Sequence, residues 1–250
     1  MKRADIEALP AGVSWENSPL FDFGMHPKLS AFPDLCRILQ VGWLAIQYSE
    51  VGTLPKQVSI LDAACGFGEL YSFFRSQRLA KDARIKYVGV EVDPRKEERS
   101  KKLMPSIDFR RGLVGDLLEI IGDERFDIVC STETLEHLEK QDGEVFLKDC
   151  MKALKPGGFF ILTVPSPALR RDNPWHLHEW ERPELLSFIE DNGWEVMDIF
   201  SMKSTVRLLP DEIRKNTTKR VPNEMLRGVL SPMLPEGSIT VAVLRAGETT

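Results

Sequence analysis

Val58-Ser59-Ile60-Leu61-Asp62-Ala63-Ala64-Cys65-Gly66-Phe67-Gly68-Glu69 is an apolar run that ends on an acid and breaks into a glycine-containing turn. Residues 58–61 read as a buried strand. From Glu69 the apolar positions Leu70, Phe73 and Phe74 return at helical spacing, so the glycines sit where a strand hands over to a helix. In an open α/β sheet that junction is where ligands bind. Gly66 and Gly68 lack a Cβ, which admits unusual backbone dihedrals and close approach of a ligand, and the amides of the helix start face the same space. A glycine pair alone is also what an ordinary tight turn uses.

A second acid strengthens the reading. Lys86-Tyr87-Val88-Gly89-Val90-Glu91 is another apolar strand, one βαβ unit downstream, and Glu91 ends it where a carboxylate can accept both hydroxyls of a ribose. Asp93-Pro94 then opens a helix, with Asp93 as N-cap and Pro94 at the first helical position. That structural job leaves Glu91 as the better ribose ligand. The helix itself interleaves Arg95, Lys96, Arg99, Lys101 and Lys102 with Glu97 and Glu98, the pattern of a solvated face rather than a nucleic-acid patch.

Further strands are expected at Ile107–Arg111, Phe126–Ser131 and Phe159–Val164, the last apolar on both faces as in the middle of a parallel sheet. An amphipathic helix is expected from about Gly143 to Leu154, stopped by Lys155-Pro156-Gly157-Gly158. Pro183 opens another helix, closed by Asn192-Gly193, before two last strands at Trp194–Ser201 and Ser238–Arg245. Between these two, residues 202–237 form a long connection with four prolines and the basic cluster Arg214, Lys215, Lys219, Arg220 and Arg227. Connections of that length inside a domain are functional or disordered. Residues 1–57 precede the first strand and carry turn material followed by a helix from about Pro33 to Tyr48. They are expected to form an N-terminal helical cap on a domain spanning 58–250.

The 250 residues suffice for one large domain with a sizeable core. With 33 basic and 38 acidic residues, a formal charge of −5 gives no global electrostatic reason to bind nucleic acid or an anionic membrane. The four cysteines, Cys36, Cys65, Cys130 and Cys150, show no metal-ligand spacing, which fits free thiols in a reduced, cytoplasmic setting. No apolar run approaches the ~20 residues of a membrane helix, and the first residues lack the apolar core of a signal peptide.

Taken together, these residues resemble the class I S-adenosylmethionine-dependent methyltransferases. The first motif of that family is Ile60-Leu61-Asp62-Ala63-Ala64-Cys65-Gly66-Phe67-Gly68 here, and the acid of its second strand is Glu91. Its fourth strand and following turn are Phe126-Asp127-Ile128-Val129 and Glu136-His137-Leu138, and its Leu-Lys-Pro-Gly-Gly turn is Leu154–Gly158. The resemblance spans about residues 58–200. It is nearest to the branch of ubiquinone-type, sugar and small-molecule methyltransferases, in which a histidine-containing loop precedes a Pro-Glu-Leu helix, here His176–Leu186. One departure is Ala64, which stands where the family carries its first glycine.

The resemblance implies an α/β fold, a Rossmann-like seven-stranded sheet flanked by helices with its last strand antiparallel, and S-adenosylmethionine as cofactor. It implies that Asp62 organises the glycine loop and approaches the methionine amino group, and that the backbone of Ala64, Cys65, Gly66 and Gly68 lies under the cofactor. Glu91 would bind the ribose, and Asp116 would reach the adenine amino group, with Gly112-Leu113 as an alternative aligned position. Ser131 and Thr132 would line the space between the methyl and its acceptor. The 202–237 segment would lie in the final hairpin near the edge of the site.

Histidine is the usual base for a hydroxyl acceptor, and His137, His176 and His178 are the candidates, although His137, within Glu136-His137-Leu138, reads first as a residue that fixes its turn. His176 and His178 alternate, so in an extended stretch they would point the same way. Arg170 and Arg171 read either as holding an anionic group of the substrate or as solvated loop charges, and Trp175 and Trp180 as either a stacking wall or core. No metal is expected, since His176, His178 and Glu179 lack a second carboxylate cluster. The expected activity is methyl transfer to an O or N atom of a small molecule or saccharide. Two alternatives stay open: a nucleic-acid methyltransferase using the basic 214–227 segment, and a non-catalytic binding protein of the same fold. Against the nucleic-acid reading, Ser131-Thr132-Glu133 differs from the Asn/Asp-Pro-Pro-aromatic turn of base-amino methyltransferases.

Overall fold

All six residues of β1 (Val58–Ala63) are buried, and a strand with no solvent face has to be covered on both sides. A computed structural model of the chain, which describes residues 32–49, 57–76, 84–167, 175–202 and 239–247, shows how. β1 pairs in parallel with β2 (Ile85–Glu91) on one side and β4 (Phe126–Thr132) on the other. β3 (Asp108–Arg111) extends the sheet beyond β2, and β5 (Leu154–Pro165) beyond β4. β7 (Ile239–Ala246) then runs antiparallel to β5, and β6 (Trp194–Met202) antiparallel to β7. The sheet order is β3-β2-β1-β4-β5-β7-β6. This is the expected seven-stranded α/β sheet with an antiparallel last strand.

Alternation along the strands divides the core in two. On one face, Ile60, Ile128, Cys130, Ile161 and Val243 pack against α1 (Phe32–Ser49) and α2 (Glu69–Ser76). On the other, Leu61, Val129, Phe160, Leu162 and Leu244 pack against α4 (Leu117–Ile121), α5 (Lys140–Ala153) and α6 (Arg182–Asp191). The helix α3 (Pro94–Leu103) is capped as its sequence indicates, with Asp93 accepting the Arg95 amide and Pro94 in the first turn. α1 sits close on α2, because a Cβ at Gly42 would lie 2.3 Å from the Phe73 ring. Only glycine permits that approach.

Boundaries differ from expectation in two main places, the first being β5, which begins at Leu154 rather than Phe159 because Leu154 already pairs with Phe126 before the register shifts. The second is α5, which begins at Lys140 rather than Gly143, because Gly143 is an interior helical position: its missing Cβ leaves room for Leu135, whose Cδ1 would be 3.1 Å away. At the amino ends of the strands Asp127 accepts from the amide and hydroxyl of Ser59 at 2.8 and 2.7 Å and from Lys155 at 2.7 Å, so one carboxylate joins β1, β4 and β5. Burial opposes ionisation of Asp127, but these bonds outweigh it and hold its pKa down at about 2.

The chain runs β1, β2, β3 towards one edge and then returns to β4 beside β1. The crevice of such a sheet opens at that reversal, beyond the carboxyl ends of β1, β2 and β4. Arg170, Arg171 and residues 203–237 of the long connection lie outside the described residues, as do residues 1–31. Among the described residues no helix is long and apolar enough to cross a membrane.

Candidate functional site

The turn after β1 is left-handed three times, with φ of 68° at Ala64, 58° at Gly66 and 78° at Gly68. It is pinned by the Cys65 amide to Val90 O at 2.9 Å and by the Gly68 amide to Cys65 O at 2.8 Å. The two glycines have different reasons. A Cβ on Gly68 would lie 2.5 Å from Ile107 Cδ1, so this glycine admits core packing; on Gly66 it would meet the Glu69 carboxylate at 3.0 Å. Glu69 in turn accepts the Phe67 amide at 3.0 Å. Cys65 turns its side chain towards the sheet against Gly89, with its thiol 3.9 Å from Gly66 O, and burial holds that thiol's pKa well up.

Asp62, the last acid of β1, is 3% exposed. Tyr87 donates to its Oδ2 at 2.6 Å, while Oδ1 is buried without a hydrogen-bond partner. Burial pushes its pKa up to about 7, with Glu69 and Glu91 adding to the effect and the Tyr87 bond opposing it.

Glu91 is also buried, but fully engaged. Its Oε2 accepts the Gly66 amide at 3.1 Å and Lys96 Nζ at 3.0 Å, and its Oε1 accepts the amides of Val92 and Asp93 at 3.0 and 3.1 Å. The acid of the second strand therefore fixes the turn of the first. Lys96, read from sequence as part of a solvated face, folds back onto it with a side chain only 16% exposed. Burial disfavours its charge, but Glu91 more than compensates and its pKa is raised. Asp116 is exposed on the 3-10 turn Val114–Asp116 that follows β3. The preceding Gly112 donates its amide to Glu91 O at 3.1 Å.

Beyond β4 the chain tightens. Ser131 is wholly buried and its Oγ has no partner, whereas Thr132 is half-buried. Glu133 has φ 53°, a left-handed conformation that costs a non-glycine residue about 1–3 kcal/mol and concentrates at functional sites. Thr163 holds it from both ends, by a backbone bond and by its hydroxyl, each 3.0 Å. Arg37 of α1 approaches the other carboxylate oxygen at 3.6 Å.

A 3-10 turn, Leu135–His137, follows. The side chain of Glu136 is 1% exposed and neither oxygen has a hydrogen-bond partner. Burial, reinforced by the charge of Glu133, holds its pKa well up. Its carbonyl receives the amides of Leu177 and His178 at 2.8 and 3.1 Å, which docks the 175–178 loop on this turn. His137 Nδ1 lies 2.8 Å from the carbonyl oxygen of Trp175. A carbonyl only accepts, so Nδ1 carries the proton and Nε2 is left facing Glu136 Oε1 at 3.7 Å.

The His176 ring stands edge-on to that of His137, centroids 5.0 Å apart. His178 goes elsewhere. Its ring lies 4.2 Å from that of Trp180 and its Nε2 is 3.0 Å from Glu184 Oε1. The backbone at 175–178 turns rather than extends, so the two histidines do not share a direction. Burial lowers the pKa of His137 and of His176, for the latter against the opposing charge of Glu179. Trp180 is 1% exposed and packs on Phe188, so it belongs to the core and not to a substrate wall.

Sequence reading passed over Glu133, Lys96 and the carboxylate of Glu136. For the two acids the one signal was the run Glu133-Thr134-Leu135-Glu136-His137 directly after a strand, and a 3-10 turn has no hydrophobic period to announce it, while Lys96 sits among the charges of its helix with no signal of its own.

Residues 61–162 match the family model described as a methyltransferase domain. The 2-methyl-6-phytyl-1,4-hydroquinone methyltransferase of Synechocystis sp. is 31% identical over 145 residues, which are 58% of this chain and 43% of that protein. A ubiquinone biosynthesis O-methyltransferase of Bradyrhizobium diazoefficiens is 30% identical over 156 residues, 53% of this chain and 56% of that protein. The chain thus spans about half the length of the curated relatives it matches. Among solved structures, an S-adenosylmethionine-dependent methyltransferase from Clostridium acetobutylicum superposes with a TM-score of 0.55 at 11% identity, covering 88% of this chain and 93% of that one. The [4+2]-cyclase SpnF superposes with 0.54 at 17% identity, over 82% and 81%. At such identities the likeness is one of fold alone.

Proposed function

We propose that this chain, whose residues 61–162 match the methyltransferase-domain family model, transfers a methyl group from S-adenosylmethionine to an oxygen of a hydroxyl-bearing small molecule. The observation that carries the reading is the unpartnered, buried Oδ1 of Asp62 beside a left-handed turn. A desolvated carboxylate oxygen wants a cationic donor, and the ammonium group of the cofactor's methionine part is one. Glu91, one strand over, would take the ribose hydroxyls once Lys96 gives way. The backbone of Ala64–Gly68 would lie beneath the cofactor, and Asp116 would reach the adenine. The residues present therefore fit the group. When bound, it supplies an electrophilic methyl on sulfur and a neutral thioether leaving group.

What is left for the protein is alignment and a proton. Holding acceptor and methyl in line is worth roughly 7–11 kcal/mol; Thr132 and His137 would border that space, whereas Ser131, wholly buried, is not assigned to it. His137 and His176 are the groups for the acceptor's proton. Burial favours their neutral forms, and His137 has its Nε2 unprotonated. His178, committed to Glu184 and Trp180, is not assigned to the reaction. The names of the hydroquinone and ubiquinone relatives favour a hydroxylated ring over a saccharide or an amine as acceptor.

The test is calorimetry with S-adenosylmethionine, followed by transfer of labelled methyl to a panel of hydroquinones, catechols, saccharides and amines. Label on a ring hydroxyl is the expected result. Failure to bind the donor overturns the enzymatic reading, and label on a saccharide or an amine overturns the acceptor class.

A further inference from the structure

Glu136, His137 and His176 each offer one ligand atom, and those atoms lie within 4.8 Å of one another. We propose that they form a binding site for one divalent transition-metal ion of the zinc, cobalt or iron class. The carboxylate comes from the 3-10 turn after β4, one imidazole from the same turn, and the other from the loop docked on it.

Three observations support the assignment. The first is Glu136, whose carboxylate is 1% exposed and has no hydrogen-bond partner at either oxygen. Isolated burial of a carboxylate is strongly unfavourable, and a cation at its oxygens relieves it. The second is the tautomer of His137. With Nδ1–H given to the Trp175 carbonyl at 2.8 Å, Nε2 carries a free lone pair 3.7 Å from Glu136 Oε1. Metal-bound histidines are held in this way, one nitrogen on the metal and the other donating to a carbonyl or carboxylate.

The third is the ligand set. Two imidazoles and one carboxylate favour zinc, cobalt or iron over magnesium or calcium, which prefer all-oxygen sites. Ligands about 2.0–2.1 Å from a tetrahedral zinc stand about 3.4 Å apart, so side-chain rotations that draw atoms now within 4.8 Å together by at most about 1.4 Å suffice. Three protein ligands leave one coordination position open, the pattern of a catalytic rather than a structural site.

The use of that open position rests on the methyl-transfer reading. An acceptor hydroxyl bound there would ionise more readily. Both imidazoles would then be ligands, and the acceptor's proton would go to solvent instead of to either of them.

The whole chain, stripped with a chelator, is titrated with Co2+ and followed by its visible spectrum, then with Zn2+ in competition and Mg2+ as control. The expected result is a spectrum saturating at one equivalent, displaced by Zn2+ and untouched by Mg2+. In Glu136→Gln, His137→Ala and His176→Ala the affinity should fall by more than the roughly 10- to 100-fold that losing an outer-shell partner costs, while His178→Ala keeps it. His176 lies on the docked loop, so His176→Ala still decides the matter if circular dichroism shows that a change in the 3-10 turn fails to fold. No stoichiometric spectrum in the wild type, or one unchanged in His176→Ala, overturns the site. Donor binding is measured separately. Its absence alongside an intact cobalt spectrum would overturn the methyl-transfer reading and leave the metal site standing.

Discussion

Tyr87 donates its phenolic hydroxyl to Oδ2 of Asp62 at 2.6 Å, while Oδ1 of the same carboxylate is buried with no partner. One neutral hydrogen bond compensates half of a desolvated acid. Burial therefore raises the Asp62 pKa to about 7, against the opposing effect of Tyr87.

A raised carboxylate pKa makes the ligand-free fold less stable as pH rises. Below about pH 4 Asp62 is protonated in both folded and unfolded chains. Between about 4 and 7 the unfolded chain releases this proton and the folded one keeps it, so stability falls by up to roughly 4 kcal/mol across that window. Denaturant melts of wild type against Asp62→Asn should show a difference that grows from pH 4 to pH 7 and is level above it. A difference constant with pH would contradict the assignment.

The same group should report on ligand binding. If the ammonium of S-adenosylmethionine pairs with Oδ1, Asp62 ionises on binding and a proton is released below pH 7. The observed binding enthalpy at pH 6 should then vary with the ionisation enthalpy of the buffer, and Asp62→Asn should abolish that variation.

Glu91 and Lys96 should act in opposite directions. Glu91→Gln removes the charge that would accept the ribose hydroxyls, and donor affinity should drop roughly 10- to 100-fold, the scale of hydrogen bonds to a charged group. Lys96→Met removes the ammonium that occupies Glu91 Oε2 and should tighten donor binding several-fold while lowering thermal stability. Weaker binding in Lys96→Met would mean that the ammonium assists the donor instead of competing with it.

Ala64 holds φ 68°, where a Cβ costs roughly 1–2 kcal/mol. Ala64→Gly removes that cost at the expense of a looser unfolded chain, about 0.4–1 kcal/mol. The net expectation is a stabilisation of about 0.5 kcal/mol with donor affinity retained or improved. A clear loss of stability in urea melts would count against the strain.

The three histidines should separate. His137→Ala and His176→Ala should lose most turnover while keeping donor binding. His178→Ala should keep turnover and lose only some stability, because its partners are Glu184 and Trp180. Equal losses in all three would refute the division.

Much of the framework was legible in the chain because strand and helix each have a period. The apolar runs ending at Asp62 and Glu91 and the Asp93-Pro94 cap needed only alternation, capping and turn chemistry, whereas the antiparallel end of the sheet followed from the family resemblance alone. Gly143 shows where such signals mislead: it reads as a helix boundary, yet it sits inside a helix because Leu135 needs the space. A contact made by a distant residue leaves no local mark.

For the site, the sequence by itself determined which acids end which strands and that a left-handed turn lies between them. It could not determine that Lys96 folds onto Glu91, that Arg37 reaches Glu133, or that His176 meets His137 while His178 turns to Trp180. Those are decided by tertiary structure. Hydrogen bonds and burial depend on separations in space between residues far apart along the chain, and local propensity carries no record of them. The unpartnered carboxylate of Glu136 is the clearest case: its residue type is plain in the sequence, but its isolation exists only once the 175–178 loop has docked on the turn.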